Sequence, residues 1–348
     1  MVENMLAVVL KANGRVELEE RSMPKTGEGE YLLKIIGAGI CSSDIFRAFS
    51  NGSYFYPIVM GHEFTGKIVD IGPGAYKYKR GQKVTVFPLN PCGKCKSCLG
   101  KKWVYCEDYG YYGSRTDGAF QEYLNVKEWN LVPLSEESNP IMASLCEPIA
   151  VCFRAVSKCV SDWDGEELAV IGGGFIGLVV AMILKEDHGF RDIMIIDRNR
   201  FKLNLAEEMG LRTKLFSEGL NYENKFGYVV EACGAVSAYQ MAIKLANANA
   251  TVILIGNPQG NANLLKGDVS NILRKELTIR GVWNSDYQGG GNDDWAKALK
   301  LIDSSLWLNK LVTHNITLEE LPGMIEHMHR IKVKGVPNNI LKVIVHNR

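Results

Sequence analysis

The chain has 348 residues, of which 46% are apolar and 23% charged, with a formal net charge of +1. That near-neutral balance argues against a nucleic-acid binder held by phosphate contacts, which needs a basic excess or stripe. No apolar run has the length to span a bilayer. The start "MVENMLAVVLKANG" lacks the ordered basic, apolar and small-residue regions of an export signal, so a cytoplasmic location is expected.

The length suggests about two domains. Residues 1–154 read as β-rich, with strand-length runs such as "EYLLKIIGAGI", "GKIVDIG" and "QKVTVFP" separated by Gly and Pro. "GICSSDIF" places Cys41 at the end of one such run, and "GHEFTGKIVDIG" sets His62 beside Glu63 at the mouth of another. Alone, the His–Glu pair fits a polar surface turn as well as it fits a metal site. "LCEPIA" adds Glu147. Cys, His and a carboxylate make a three-ligand zinc set with one coordination place open for water or substrate, although spacing does not prove that these residues meet.

The nine cysteines do not read as a disulfide framework in a chain of this size without an export signal. Four cluster in "PCGKCKSCLGKKWVYC" as Cys92, Cys95, Cys98 and Cys106. Short gaps let consecutive thiolates fold around one ion, and the longer gap lets the fourth close a tetrahedron with no open place, so a structural zinc is expected. The ferredoxin pattern of a short third gap followed by proline is missing. Cys146, Cys152, Cys159 and Cys233 sit in apolar surroundings and are expected as buried small hydrophobes.

From 155 to 290, apolar strand-like runs ("ELAVIG", "IMIID", "YVVEACG", "TVILIG", "LTIRGVW") alternate with helix-like stretches, the pattern of a parallel sheet covered on both faces. "VIGGGFIG" holds Gly172, Gly174 and Gly177 as G-x-G-x-x-G between a strand and a helix, with Phe175 and Ile176 opening that helix. This arrangement binds a dinucleotide pyrophosphate at the helix N-terminus. Asp197 ends the next strand, where a carboxylate accepts from the ribose hydroxyls and repels a 2′-phosphate. NAD is therefore expected over NADP, with Arg198 and Arg200 next in sequence acting against that preference. Residues 291–348 are mixed: "DDWAKALKLIDS" has helical spacing, "NNILKVIVHN" reads as a closing strand, and 287–294 reads as a loop.

"GICSSD", "GHEFTGKIVDIG", the four-cysteine stretch, "DGAFQEY", "EPIAV", "VIGGGFIG" and "LRKELTIRG" occur in one order over essentially the whole chain. In that order they resemble the zinc-dependent medium-chain dehydrogenases, most closely the polyol branch. The resemblance implies an α/β protein: a GroES-like β-rich catalytic domain (1–154, with the lobe at 92–106), a Rossmann domain (155–290), and a return to the catalytic domain (291–348). It implies two zinc ions per subunit, a structural one on the four cysteines and a catalytic one on Cys41, His62 and Glu147. Glu63 matches a glutamate that ligates zinc in some relatives and water in others. Ser43 matches the hydroxyl that relays the alcohol proton, while Phe46 stands where several relatives carry a histidine.

The implied reaction is NAD-linked oxidation of a secondary hydroxyl, with a polyol phosphate of the galactitol 1-phosphate type as substrate. Arg47 supports the phosphate, since a guanidinium forks two phosphate oxygens, although it fits a surface cation equally. Trp283 and Asn284 follow the last Rossmann strand, where relatives line the substrate cleft. Unphosphorylated polyols, threonine and simple alcohols are rival substrates, and a non-catalytic nicotinamide-binding protein is the rival class. The partner is a small molecule, not nucleic acid or membrane, and a homodimer or homotetramer is expected.

Overall fold

A computed structural model describes residues 4–159, 167–219, 221–258, 260–289, 291–336 and 338–346. Residues 1–3 of the start and Gly290 of the expected loop lie outside them. Contacts divide the chain into two compact units, one of Met1–Ala150, Asp286–Val336 and Lys342–Arg348, the other of Val151–Ser285 and Pro337–Leu341. The boundaries expected after 154 and 290 thus lie a few residues past those drawn by contacts. No described helix is long and apolar enough to cross a membrane.

The first unit is built around the strand Glu30–Gly39, mostly buried along its length. It pairs antiparallel with Glu63–Ile71, Tyr123–Lys127 and Lys342–His346. Leu131–Pro133 and Lys83–Val86 extend this sheet beyond Glu63–Ile71, and Val312–Ile316 extends it beyond Lys342–His346. The register sets Gly39 opposite Glu63 on one side and opposite Ile344 on the other. Three segments distant in sequence therefore end together. A second sheet holds Arg15–Ser22, Asn4–Ala12 and Ile58–Val59. A two-stranded ribbon, Leu89–Asn90 with Gly110–Tyr111, closes the base of the cysteine stretch.

The second unit holds a six-stranded sheet in the order Arg212–Leu215, Ile193–Asp197, Leu168–Ile171, Phe226–Glu231, Ala246–Leu254, Thr278–Gly281. All five pairings are parallel. Its central strands are buried throughout without alternation and apolar up to the buried Glu231 that ends one of them, as suits strands covered on both faces. The order runs outward in both directions from Leu168–Ile171, which is the doubly wound Rossmann arrangement. The strand order reverses beside that strand, where ligands bind in such sheets. The edge strand Thr278–Gly281 is largely exposed.

Gly177 lies in the first turn of the helix Phe175–His188, and a Cβ there would run into the Gly172 carbonyl oxygen. Alanine in place of a helical glycine ordinarily stabilises by about 1 kcal/mol. Gly177→Ala should do the reverse, lowering the unfolding free energy by on the order of 3 kcal/mol because backbone must move to admit the methyl group. Urea unfolding of the variant beside the wild type reads the sign directly.

Candidate functional site

The convergence at Gly39 builds the candidate metal centre. Cys41 follows the central strand and caps the short helix Ser42–Phe46, with its N–H donating to Asp44 Oδ2 at 3.1 Å. Asp44 is fully buried, and its Oδ1 lies 3.4 Å from His62 Nδ1 and 3.4 Å from Arg47 Nη1. Burial alone would raise the Asp44 carboxyl pKa, but His62 and Arg47 outweigh it and hold the group below its usual value. With Nδ1 turned to Asp44, Nε2 is the ring nitrogen left for a metal.

Donor atoms of Cys41, His62 and Glu63 all lie within 4.8 Å of one another. The structure therefore brings Glu63, rather than Glu147, into mutual ligand distance with the other two. Glu63 is buried and pairs with Lys342, which also donates to the Ile40 carbonyl at 3.1 Å. Gly39 makes room for that pair, since a Cβ at this position would run into Glu63 Oε2. Glu147, in the first turn of the helix Cys146–Cys159, accepts from the Tyr111 hydroxyl at 3.1 Å. Burial raises its carboxyl to about 7, with His62 acting against the shift and Glu63 adding to it. The Tyr111 ring meets the His62 ring edge-on at 5.8 Å. Thiol, imidazole and carboxylates crowded out of water suit a divalent cation, which favours the deprotonated form of each.

Ser43 is half-buried in the turn between Cys41 and Asp44. Arg47 has a different first partner from the phosphate expected for it: its side chain is only 18% exposed and its charge faces Asp44.

The four-cysteine lobe fits zinc on its own geometry. Its sulfurs lie within 4.8 Å of one another, with Cys92–Cys98 at 3.9 Å and Cys95–Cys106 at 4.0 Å. Four thiolates about 2.3 Å from one ion in a tetrahedron stand about 3.8 Å apart. The Cys92 N–H donates to Cys106 Sγ at 3.2 Å. Backbone N–H groups of Glu107 and Cys98 pull the Cys95 thiol down to about 6, while burial pushes the Cys98 thiol up to about 12 and raises Cys106.

In the second unit Gly172 adopts φ +108°, open to glycine and strained for other residues. Gly174 caps the helix Phe175–His188, and a Cβ on it would meet nothing within 4 Å, so the space before the helix N–H groups is open. Asp197 Oδ2 accepts the Gly173 N–H at 2.8 Å and Oδ1 accepts the Asn199 N–H at 2.8 Å. The carboxylate thus ties its strand end to the glycine turn. Phe175 is buried and Ile176 half-buried; Arg198 is exposed, and Arg200, also exposed, pairs with Glu218. This cradle fits a pyrophosphate against the helix end.

Residues 27–136 match the family description "Alcohol dehydrogenase GroES-like domain" and residues 176–304 match "Zinc-binding dehydrogenase". Galactitol 1-phosphate 5-dehydrogenase of Escherichia coli (strain K12) is 30% identical over 345 residues, covering 95% of this chain and 98% of that one. The chain belongs to the zinc-dependent medium-chain dehydrogenase family. It is accordingly an oxidoreductase of the alcohol and polyol dehydrogenase kind. The crystal structure of galactitol-1-phosphate dehydrogenase from Escherichia coli superposes with a TM-score of 0.86 at 29% identity, covering 99% of this chain and 100% of that one. A Sinorhizobium meliloti protein described as a zinc-binding dehydrogenase, bound to NADP, gives 0.86 at 25% identity and covers 99% of each chain.

Within this dehydrogenase, sequence reasoning missed Asp44, Tyr111 and Lys342. Asp44 was legible as the third residue after Cys41, the spacing of a helix-capping side chain. Lys342 carried a fainter signal, a lysine inside the apolar run "ILKVIV". Tyr111 carried none beyond its aromatic neighbours. Cys233 corrects an expectation: it is exposed, while Cys146, Cys152 and Cys159 are buried. Trp283 is 57% exposed, and Asn284 Oδ1 accepts the Ser285 N–H at 2.8 Å.

Removing one member of a buried ion pair leaves an uncompensated charge and costs about 3–5 kcal/mol. Lys342→Met should lose stability on that scale, and Lys342→Met with Glu63→Gln should recover at least half of it. Chemical unfolding of the two single variants and the double one measures the coupling.

Proposed function

We propose that this dehydrogenase oxidises a secondary hydroxyl of a polyol phosphate to the ketose phosphate with NAD. The observation that carries the chemistry is the buried cluster of Cys41, His62 and Glu63 donors, braced by Asp44 and Lys342. Cys41, His62 and Glu63 would hold the catalytic zinc, with Glu147 as a further carboxylate beside His62. Zinc at this place lowers the pKa of a substrate hydroxyl. Bound NAD supplies the hydride acceptor.

The rest falls to the chain's own side chains. Asp44 orients His62 and fixes its tautomer. Ser43 takes the proton from the substrate hydroxyl. With Phe46 in place of a histidine, no imidazole stands at that position to take the proton onward from Ser43. Gly174 leaves room for the pyrophosphate, and Asp197 accepts from the ribose and repels a 2′-phosphate, which supports NAD over NADP. The four-cysteine lobe would hold the second, structural zinc. The polyol phosphate itself is supported by the likeness to galactitol 1-phosphate 5-dehydrogenase across nearly the whole length of both chains.

NADH formation on a panel of hexitols with and without phosphate tests the substrate: the highest kcat/KM should fall on a hexitol phosphate, and a preference for the plain hexitol would refute it. Cys41→Ser should lose one of two zinc ions, together with activity and without unfolding. Retention of both ions and full turnover would remove Cys41 from the site.

Of the expected homodimer and homotetramer, the homodimer draws support from the exposed edge strand Thr278–Gly281 and from Leu265, Leu273, Ile279 and Trp283, all exposed apolar side chains on or near it in sequence. Light scattering should give twice the 38.7 kDa chain mass, and Leu273→Lys should shift it toward the monomer.

A further inference from the structure

We infer that Arg115, packed against the rings of Tyr54 and Tyr109, is the residue that recognises the anionic end of the substrate. The inference rests on the polyol phosphate reading and assigns the specificity within it.

Arg115 sits just after the ribbon strand Gly110–Tyr111, in a turn where its N–H donates to the Tyr111 carbonyl at 2.8 Å. Its guanidinium carbon lies 4.4 Å from the ring centroid of Tyr54 and 4.4 Å from that of Tyr109. Nη2 donates to the Tyr54 hydroxyl at 3.2 Å. Aromatic contact holds a guanidinium through its faces and leaves its N–H donors in the plane at the rim. Only one of the five is directed at Tyr54, and the rest form the planar fork that matches two oxygens of a phosphate or carboxylate.

The charge is also unspent within the protein. Arg15, Arg21, Arg47, Arg80, Arg200 and Arg212 each face a carboxylate. Among the described residues no carboxylate stands within ion-pair distance of Arg115. A half-buried cation stacked on aromatic rings without an internal anion is built for an external one. Arg47, the arginine nearer Cys41 in sequence, is the opposite case, since Asp44 already answers its charge.

The location suits a group remote from the reacting carbon. The Tyr109 ring meets the Tyr111 ring at 6.3 Å, and the Tyr111 ring meets that of His62 at 5.8 Å. Ring contacts through Tyr109 and Tyr111 thus link the Arg115 guanidinium to the His62 imidazole. An extended polyol with its hydroxyl at the Cys41–His62–Glu63 cluster has its far end several ångströms away along its chain. Tyr54 is 68% exposed and Arg115 half-buried, so the pair lies at the protein surface. Binding at that distance holds the substrate without touching the reacting atoms, so it acts on KM more than on kcat.

The test is steady-state kinetics of wild type, Arg115→Ala, Arg115→Lys and Arg47→Ala on galactitol 1-phosphate, galactitol and L-threonine, with zinc content and thermal midpoint as fold controls. For Arg115→Ala the ratio of kcat/KM on galactitol 1-phosphate to that on galactitol should fall at least tenfold, mainly through KM. Arg115→Lys should recover part of it, and Arg47→Ala should lower both substrates together. A ratio held within twofold in Arg115→Ala, or equal losses on both substrates, overturns the assignment even if the wild type prefers the phosphate. A wild type that favours L-threonine, with that preference lost in Arg115→Ala, upholds anion recognition and replaces phosphate by carboxylate. A wild type that favours galactitol overturns the substrate reading and the inference together.

Discussion

The catalytic unit depends on the register of a single strand. Glu30–Gly39 is paired on both sides, and its last residue stands opposite Glu63 on one neighbour and Ile344 on the other. That alignment brings Cys41, the His62–Glu63 pair and Lys342 to one end of the sheet, although they are spread over three hundred residues of chain. Slipping a strand by one residue turns every side chain to the opposite face, so the cluster exists only in this register. Gly39 is part of the same constraint, because any side chain there would displace the Glu63 carboxylate.

Crowding acidic groups, a thiol and an imidazole at one buried point requires compensation. The fold supplies it in two small networks. Asp44 is answered by His62, Arg47 and the Cys41 N–H, while Glu63 is answered by Lys342. Glu147 accepts from the Tyr111 hydroxyl, and burial pushes its carboxyl up against the pull of His62 and Lys342. The consequence is a site whose braces are complete within the protein while its donors still gain from a cation. Such braces orient metal ligands and tune their basicity.

The nucleotide unit reaches its preorganisation by backbone instead of charge. Gly172 bends at positive φ, Gly177 lets helix meet turn, and Gly174 leaves open space where a methyl group would stand. Asp197 belongs to both layers of this arrangement. It fixes the glycine turn through the Gly173 N–H and ends the strand Ile193–Asp197. Substitution at Asp197 therefore acts on the shape of the turn.

By itself, the sequence determined what is local. The periodic runs located the parallel strands closely, "IMIID" matching Ile193–Asp197 residue for residue. The short cysteine spacings brought four sulfurs together because a few residues of loop cannot carry them apart. The glycine spacing located the helix N-terminus because each glycine answers a local backbone demand. Only the tertiary structure decided which carboxylate stands with Cys41 and His62, since Glu63 and Glu147 were equally eligible by residue type. It also decided that Arg47 turns inward to Asp44 while Arg115 lies against the rings of two tyrosines, and that Lys342 is a buried counter-ion. The reason is common to all of these: a charged group's role is set by what surrounds it in space, and pairing between strands far apart in sequence fixes that surrounding.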